Sequence, residues 1–325
     1  MTRLFHEDGL KKQLVSALEK SDFSPYFQEA DRLQHLHKQE VVDIRAILEF
    51  SNYCKRACRY CGLNCHNTKA VRYRMEAKEI IAQSLKAAEA GYKTIVLQSG
   101  EDPYYTGEIL GKIVKEVKKS GILITLSCGE RTFEDYEYWR DCGADRYLLK
   151  HETADSKIYE SLHPCGTLEE RIQCLRNLKK LGYETGSGFM IGLPGQTMET
   201  IGEDLLLLKE IGCHMAGIGP FIAHPETTLK DSPNGSTELT KRAVALARIL
   251  LPEANLPATT SLGVLDCEEK NNLFSCGANV IMRKVTPDAY KEFYEIYPAP
   301  LGKTNLMEER KELEELIRSL GKIPR

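Results

Sequence analysis

Four cysteines lie within twelve residues of one another, in a stretch that also contains an aromatic side chain. They are Cys54, Cys58, Cys61 and Cys65, and Tyr60 directly precedes the third. Thiolates spaced by three and two residues on one loop can converge on one soft metal site. A structural zinc ion would need four ligands, and Cys65 or His66 could supply the fourth. Three cysteines instead suit a 4Fe–4S cluster with one iron left open for an exchangeable ligand.

Cysteine content and charge narrow the class of protein. The 325 residues include 11 cysteines, and no apolar signal segment is visible at the N-terminus, so a disulfide framework is not expected. The 44 Lys and Arg residues nearly balance the 47 Asp and Glu residues, which argues against nucleic-acid binding. No apolar run approaches the roughly 20 residues that a membrane span needs. We therefore expect a cytoplasmic protein with no nucleic-acid or membrane partner.

Short apolar runs alternate with helix-like stretches from residue 41 onward. The alternation predicts parallel βα units, and eight units match the strand count of a TIM-type barrel. A doubly wound open sheet is the alternative architecture. The predicted strands cover residues 41–50, 93–97, 122–126, 146–149, 187–191, 216–218, 256–260 and 278–282.

Two segments flank the predicted barrel. Residues 1–38 are predicted as an N-terminal helical extension, residues 39–298 as the (βα)8 barrel, and residues 299–325 as a short helical appendage. Because a TIM barrel carries its chemistry on the loops after the strands, polar residues at the strand exits are candidates for a site. These exits include Gln98, Gly100, Glu101, Asp102, Thr125, Lys150, Glu152, Thr259 and Thr260.

The cysteine loop resembles the cluster motif of the radical S-adenosylmethionine (SAM) superfamily. The features that carry the resemblance are the C-x-x-x-C-x-x-C spacing after the first predicted strand and the aromatic Tyr60. The resemblance implies one 4Fe–4S cluster held by Cys54, Cys58 and Cys61, with SAM chelating the open iron. An electron from the reduced cluster would cleave SAM to methionine and a 5′-deoxyadenosyl radical. The protein would position these cofactors and exclude water.

The same resemblance implies a set of cofactor-binding residues. Gly100, Glu101 and Asp102 resemble the family's glycine–acid motif, which binds the methionine ammonium. Glu152 and Arg171 would hold the ribose hydroxyls and the methionine carboxylate. Glycine at position 188 would let backbone approach the adenine closely. The full set is Tyr60, Gly100, Glu101, Asp102, Thr125, Glu152, Arg171, Met190 and Ile191.

Longer segments look like the HydE family of FeFe-hydrogenase maturases, in the biotin-synthase-like group. The similarity spans roughly residues 40 to 300 and includes the segments 45–52, 95–105, 145–154, 192–197 and 217–222. It implies a substrate built on iron with carbonyl, cyanide and cysteine ligands, and it implies maturation partner proteins and an electron donor. Thr259 and Thr260, with Arg45, would hold a carboxylate of this substrate. The implied substrate-binding residues are Arg45, Gln98, Lys150, Met215, Thr259, Thr260, Met282 and Tyr297.

Two departures from this family qualify the interpretation. No cysteine follows Cys276, so the second cluster that many members carry is expected to be absent. Lys150 stands where the family often has arginine, which changes a forked donor into a point charge. A related enzyme acting on another small thiol or amino-acid-derived molecule is therefore an alternative. An iron–sulfur carrier that uses Cys65 as a fourth ligand is a second alternative.

Overall fold

The computed structural model describes residues 4–300 and 305–325 and contains a nearly closed barrel of eight parallel strands. The strands pair in the order β6-β5-β4-β3-β2-β1-β8-β7, and a bridge between Met215 and Asn255 links the two ends. This progressive order confirms the TIM-type barrel and excludes the doubly wound alternative. The strands are β1 Val41–Ser51, β2 Thr94–Ser99, β3 Leu123–Ser127, β4 Arg146–Leu148, β5 Glu184–Ile191, β6 Met215–Pro220, β7 Pro257–Ala258 and β8 Val280–Lys284.

Helices surround the barrel, and several of them begin with a side-chain cap. Thr167, for example, forms a capping box with Glu170. In the described part of the chain, none of the helices combines the length and apolar character needed to cross a membrane. The helices are α1 Leu10–Leu18, α2 Ser24–Lys38, α3 Ala77–Glu89, α4 Gly107–Lys118, α5 Phe133–Asp141, α6 Ser156–Leu162, α7 Leu168–Lys180, α8 Met198–Ile211, α9 Thr237–Leu250, α10 Thr260–Leu265, α11 Cys267–Asn272, α12 Asp288–Lys291 and α13 Leu306–Ser319.

The first strand is buried on both faces, but its sequence alternates: Val42, Ile44, Ala46, Leu48 and Phe50 are apolar, and its charged residues lie at the positions between them. Ala46 and Leu48 belong to the hydrophobic core, whereas Ile47 and Glu49 line the barrel interior. Since side chains alternate along a strand, Arg45 also faces inward, one layer closer to the N-terminal end. The three charged residues of this strand, Asp43, Arg45 and Glu49, therefore lie on its inward face.

Both chain ends pack against the barrel. The helices α1 and α2 pack on α8 and α9, as the predicted N-terminal extension requires. The predicted C-terminal helix is present as α13, but the sequence did not predict the short strand β9, Ile323–Pro324, which pairs in parallel with the start of β1. Residues 1–3 and 301–304 belong to these two predicted segments and lie outside the described residues. The boundaries at residues 38 and 298 remain predictions.

Candidate active site

The cysteine loop connects β1 to α3 and is held by side chains that bond to its backbone. The Asn52 amide donates to the carbonyls of Val71 and Phe293, at 2.7 and 2.6 Å. The Arg72 guanidinium donates to the carbonyls of Leu63 and Asn64, at 3.0 and 2.7 Å. Because the loop has almost no regular secondary structure, these bonds satisfy carbonyls that would otherwise lack partners. They fix the shape of the loop that carries the cysteines.

Cys54, Cys58 and Cys61 are half-buried in this loop, whereas Cys65 is exposed. Burial raises the pKa of Cys58 to about 12, and the neighbouring Cys54 thiol contributes to the increase. Burial and the two neighbouring thiols also raise the pKa of Cys61 well above its ordinary value. Thiols in this environment become good ligands when a metal replaces the proton.

The segment after β2 closes on the cysteine loop at Gly100. A Cβ atom at Gly100 would lie 2.3 Å from the Tyr53 carbonyl oxygen and 2.8 Å from Cys54 Cβ, so only glycine fits. The next backbone N–H, that of Glu101, donates to Cys54 Sγ at 3.4 Å. Hydrogen bonds to cysteine sulfur are one means by which proteins tune iron–sulfur clusters.

The donor set of this loop fits an iron–sulfur cluster. It consists of three neighbouring half-buried thiols, one of which accepts a backbone hydrogen bond. Among the described residues, no group of three or more His, Cys, Asp or Glu side chains is close enough to hold a single metal ion. A 4Fe–4S cluster makes a different demand, since each of its cysteine sulfurs binds a different iron.

A cavity of about 250 Å³ lies inside the barrel, and Tyr60 links it to the cysteine loop. Apolar side chains form most of its wall, and charged or hydroxyl-bearing side chains occupy a few places. This composition is typical of a binding site for a small molecule. The predicted site residues that line it are Tyr60, Gln98, Lys150, Glu152, Met190, Met215, Thr259, Thr260, Met282 and Tyr297.

Two predicted site residues line a different, smaller cavity, and we correct their placement. Arg45 and Thr125 lie deeper in the barrel, toward the N-terminal ends of the strands. The Arg45 guanidinium donates to Met215 Sδ at 3.3 Å and to Asp43 at 3.4 Å. Burial lowers the pKa of Arg45 to about 10. The charge of Arg45 therefore belongs to the barrel floor and does not reach the large cavity.

Asp102 and Glu101 have structural partners that the sequence did not reveal. Both oxygens of the Asp102 carboxylate accept from Arg74, at 2.7 and 2.9 Å, and one also accepts from Ser51 at 2.7 Å. The Glu101 carboxylate accepts from Arg56 at 2.5 Å. We therefore correct the Asp102 prediction, because its carboxylate holds the start of this segment in place and is not available to a ligand.

Gly188 has a structural role that the sequence did not reveal, and its approach to adenine stays a prediction. A Cβ atom at position 188 would lie 2.0 Å from the carbonyl oxygen of Gly217 on the adjacent strand, so the glycine makes room for protein backbone. Ile191 is fully buried, and its carbonyl accepts the Phe221 N–H at 2.8 Å. Of the predicted β5 residues, only Met190 lines the large cavity.

Charged residues after β4 form one polar wall of the cavity. Lys150 Nζ lies 2.9 Å from Glu152 Oε2. Burial tends to raise the pKa of Glu152, but Lys150, with smaller contributions from His163 and Arg171, outweighs it, so this pKa is lowered and the carboxylate is charged. Arg171 lies nearby, and its Nε is 2.7 Å from Glu130 and 3.1 Å from the Tyr159 hydroxyl. The sequence missed both of these partners.

Thr259 and Thr260 line the cavity, but they do not lie at the end of a strand as predicted. The strand β7 ends at Ala258; Thr259 precedes α10, and Thr260 is its first residue. In a strand, consecutive side chains point to opposite faces, so only one of the two would face the cavity. That alternation does not apply where a helix begins, and both residues line the cavity.

A second charged pair in the cavity wall was missed from the sequence. Glu49 of β1 and Lys284 of β8 both line the cavity, and Lys284 Nζ lies 3.0 Å from Glu49 Oε1. Burial raises the pKa of Glu49, although Lys284 opposes this effect. The signal was a charged residue between apolar residues of a strand, together with a basic residue two positions after the predicted end of the last strand.

Comparisons with known proteins agree with this geometry. The family model described as the Radical SAM superfamily matches residues 48–208. The FeFe hydrogenase maturase subunit HydE of Thermotoga maritima is 48% identical over 290 residues, which cover 89% of this chain and 83% of that protein. The 3-methylornithine synthase of Methanosarcina acetivorans is 27% identical over 289 residues, which cover 88% and 81% of the two chains.

A solved structure supports the fold independently. The crystal structure of methylornithine synthase superimposes with a TM-score of 0.86 at 23% identity, covering 97% of this chain and 94% of the other. At this identity the likeness concerns the barrel alone. With the motif, the family match and the HydE relative, the chain belongs to the radical SAM superfamily and is a radical SAM enzyme closely related to the HydE hydrogenase maturase.

Proposed function

We propose that this enzyme acts in the assembly of the FeFe-hydrogenase active site, on an iron species that carries carbonyl, cyanide and cysteine ligands. The observation that carries the proposal is the cavity inside the barrel. Its wall includes Tyr60 of the cysteine loop at one place and Thr259 and Thr260 at another. Support comes from the relative described as a hydrogenase maturase subunit, which matches most of the chain.

The superfamily implies a 4Fe–4S cluster and SAM as cofactors. Cys54, Cys58 and Cys61 would hold the cluster through three of its irons, leaving the fourth to SAM. When bound, these cofactors supply a 5′-deoxyadenosyl radical. Glu152 and Arg171 would bind SAM, and Tyr60 would lie against it between two of the cluster ligands. Glu152 offers the charged carboxylate that hydroxyl groups of SAM can donate to.

The remaining cavity residues would hold the substrate and keep water out. Met215 and Met282 offer polarisable thioethers that suit a soft metal species, and Met190 would contact the cofactor. Gln98, Lys150 and Tyr297 supply polar contacts at other places in the cavity wall. Since a primary carbon radical attacks most groups it meets, its target has to lie against it in an enclosed space. An electron donor and other maturation proteins would be partners of this cytosolic enzyme.

Iron analysis tests the cluster assignment. We expect anaerobically reconstituted protein to contain one 4Fe–4S cluster, and the Cys65→Ala variant to retain both this cluster and reductive SAM cleavage. The triple variant with alanine at positions 54, 58 and 61 should contain no cluster. Two clusters in the wild type, or cluster loss in Cys65→Ala, would contradict the three-cysteine site and favour a four-cysteine carrier.

The substrate assignment needs a separate measurement. Incubation with a synthetic cysteine-ligated iron dicarbonyl cyanide complex, SAM and a reductant should yield an iron product that infrared spectroscopy distinguishes from the starting complex. If the enzyme cleaves SAM but leaves this complex unchanged, the alternative holds. The substrate is then another small thiol or amino-acid-derived molecule.

A further inference from the structure

The pair of Glu49 and Lys284 is a charged site that no cofactor assignment uses. Only 4% of the Glu49 side chain and 25% of the Lys284 side chain are exposed, and both residues line the cavity. The β1–β8 ladder pairs Ile47 with Lys284, which places Lys284 beside the inward face of β1. Ion pairs removed from water are seldom favourable on balance, so a pair in a cavity wall calls for a functional explanation.

Each member of the pair retains capacity for a further partner. Lys284 lies 3.0 Å from one oxygen of Glu49, and an ammonium has three donors. The second Glu49 oxygen accepts from the Thr286 hydroxyl at the long distance of 3.4 Å, and a carboxylate can accept about four hydrogen bonds. The pair can therefore bind an anionic group through Lys284 and a cationic group through Glu49 at the same time.

The barrel places this pair across the cavity from the other charged wall. In the strand order, β8 stands four positions from β4, which carries Lys150 and Glu152 at its exit. In an eight-stranded barrel, four positions is the opposite side. Apolar residues in and directly after β6, including Met215 and Phe221, also line the cavity. A ligand in this space meets a charged pair at each end and an apolar wall in the middle.

We propose that Glu49 and Lys284 bind the α-ammonium and the α-carboxylate of an amino-acid substrate, on the cavity wall opposite Glu152. This inference rests on the proposed function and names the part of the substrate that this wall recognises. A ligand with both charges leaves no unpaired charge in the buried site, whereas a ligand that lacks either one does. Thr259 and Thr260, after the adjacent strand β7, can donate further hydrogen bonds to the carboxylate.

Three small thioethers test the contributions of the ammonium and the carboxylate separately. S-methyl-L-cysteine carries both, 2-(methylthio)ethylamine lacks the carboxylate, and 3-(methylthio)propanoate lacks the ammonium. We expect anaerobic calorimetry on the cluster-loaded enzyme with SAM to show at least tenfold tighter binding of S-methyl-L-cysteine than of the other two. Equal binding of all three, or binding of none, overturns the proposal without any variant.

Variants then test which residue binds the carboxylate of the ligand and which binds its ammonium. Lys284→Met should weaken S-methyl-L-cysteine at least tenfold and leave 2-(methylthio)ethylamine nearly unchanged. Glu49→Gln should weaken S-methyl-L-cysteine to a similar extent and leave 3-(methylthio)propanoate nearly unchanged. The matched control is Lys112→Met, which removes an exposed lysine paired with Glu108 at 2.7 Å on the outer surface of α4. Wild-type discrimination in both cavity variants overturns the assignment.

Cluster content, melting temperature and reductive SAM cleavage are measured on the same samples. If cluster and cleavage are absent from the wild type, the proposed function itself fails. If they are intact and the probes are not discriminated, only the inference about Glu49 and Lys284 fails.

Discussion

Glu152, which lines the cavity, has an unusual backbone conformation. Its φ is 66°, in a region that residues with a side chain seldom adopt. The adjacent strand holds it there, because its N–H donates to the Gly188 carbonyl at 3.0 Å and its carbonyl accepts from Met190 at 3.1 Å. Conformations of this kind persist where the surrounding structure enforces them, and they are frequent at functional sites. The constraint aims a charged carboxylate at the cavity.

Replacing Glu152 by alanine should weaken SAM binding and leave the iron content unchanged. Alanine keeps the Cβ atom and therefore the same backbone strain, so the change removes only the carboxylate. Loss of a charged hydrogen-bond partner costs about 1.5–3 kcal/mol, which is roughly 10- to 100-fold in Kd. Equilibrium binding of SAM to reconstituted protein measures it, with Glu160→Ala on the exposed side of α6 as the control. Wild-type affinity in Glu152→Ala would show that the SAM pocket lies elsewhere.

Residue types and spacing were sufficient to predict the cysteine loop but not the pair of Glu49 and Lys284 in the cavity wall. The spacing of Cys54, Cys58 and Cys61 is a local property that a sequence displays directly. Glu49 shares a face of β1 with Asp43 and Arg45, so the alternation of the sequence indicated its face but not the residue of another strand that meets it. Lys284 follows the apolar part of β8, and the predicted strand ended before it. Their meeting depends on strand pairing, which the sequence alone does not specify.

At the scale of elements, α10 replaces the end of the predicted strand 256–260. Its residues are Thr260–Leu265, and they include a glycine and β-branched side chains, which have low helix propensity. Their sequence therefore favoured an extension of the seventh strand. Tertiary packing decides instead: Leu262 is fully buried, and the chain turns into a helix directly after Ala258. This turn brings two hydroxyl side chains to the cavity.

The double change Thr259→Val, Thr260→Val tests whether the start of α10 binds substrate. Valine keeps the shape of threonine and removes the hydroxyl, so the loss is confined to hydrogen bonding. We expect reductive SAM cleavage to continue, while conversion of the cysteine-ligated iron complex falls at least tenfold, as for two lost bonds of about 1 kcal/mol each. The matched control is Thr237→Val at the first residue of α9. Conversion at the wild-type rate would remove α10 from the substrate site.

At the scale of the whole molecule, the alternation of strands and helices in the sequence predicted the barrel. It did not predict that the C-terminal segment pairs with the first strand of this barrel. A two-residue strand that contains proline, such as β9, gives no recognisable strand signal. The structure nevertheless joins this end to the first strand. Arg325 contacts Asp43 at 2.6 Å, and Arg283 of β8 contacts Glu309 of α13 at 2.6 Å. These contacts indicate that the end of the chain stabilises the barrel.

Replacing Ile317 by alanine tests this coupling, because the single tryptophan reports on a distant part of the barrel. Ile317 of α13 is 1% exposed, and Trp139 is fully buried in α5. If both belong to one cooperative unit, the substitution should lower the free energy of unfolding reported by Trp139 fluorescence by about 2–5 kcal/mol. The control, Met307→Ala, changes a residue of α13 that is 65% exposed and should have little effect. The contrary result is an unfolding transition of Trp139 fluorescence that is unchanged, with part of the helical circular dichroism signal lost at lower denaturant concentration. In that case α13 unfolds independently, and the C-terminal segment is a separate appendage.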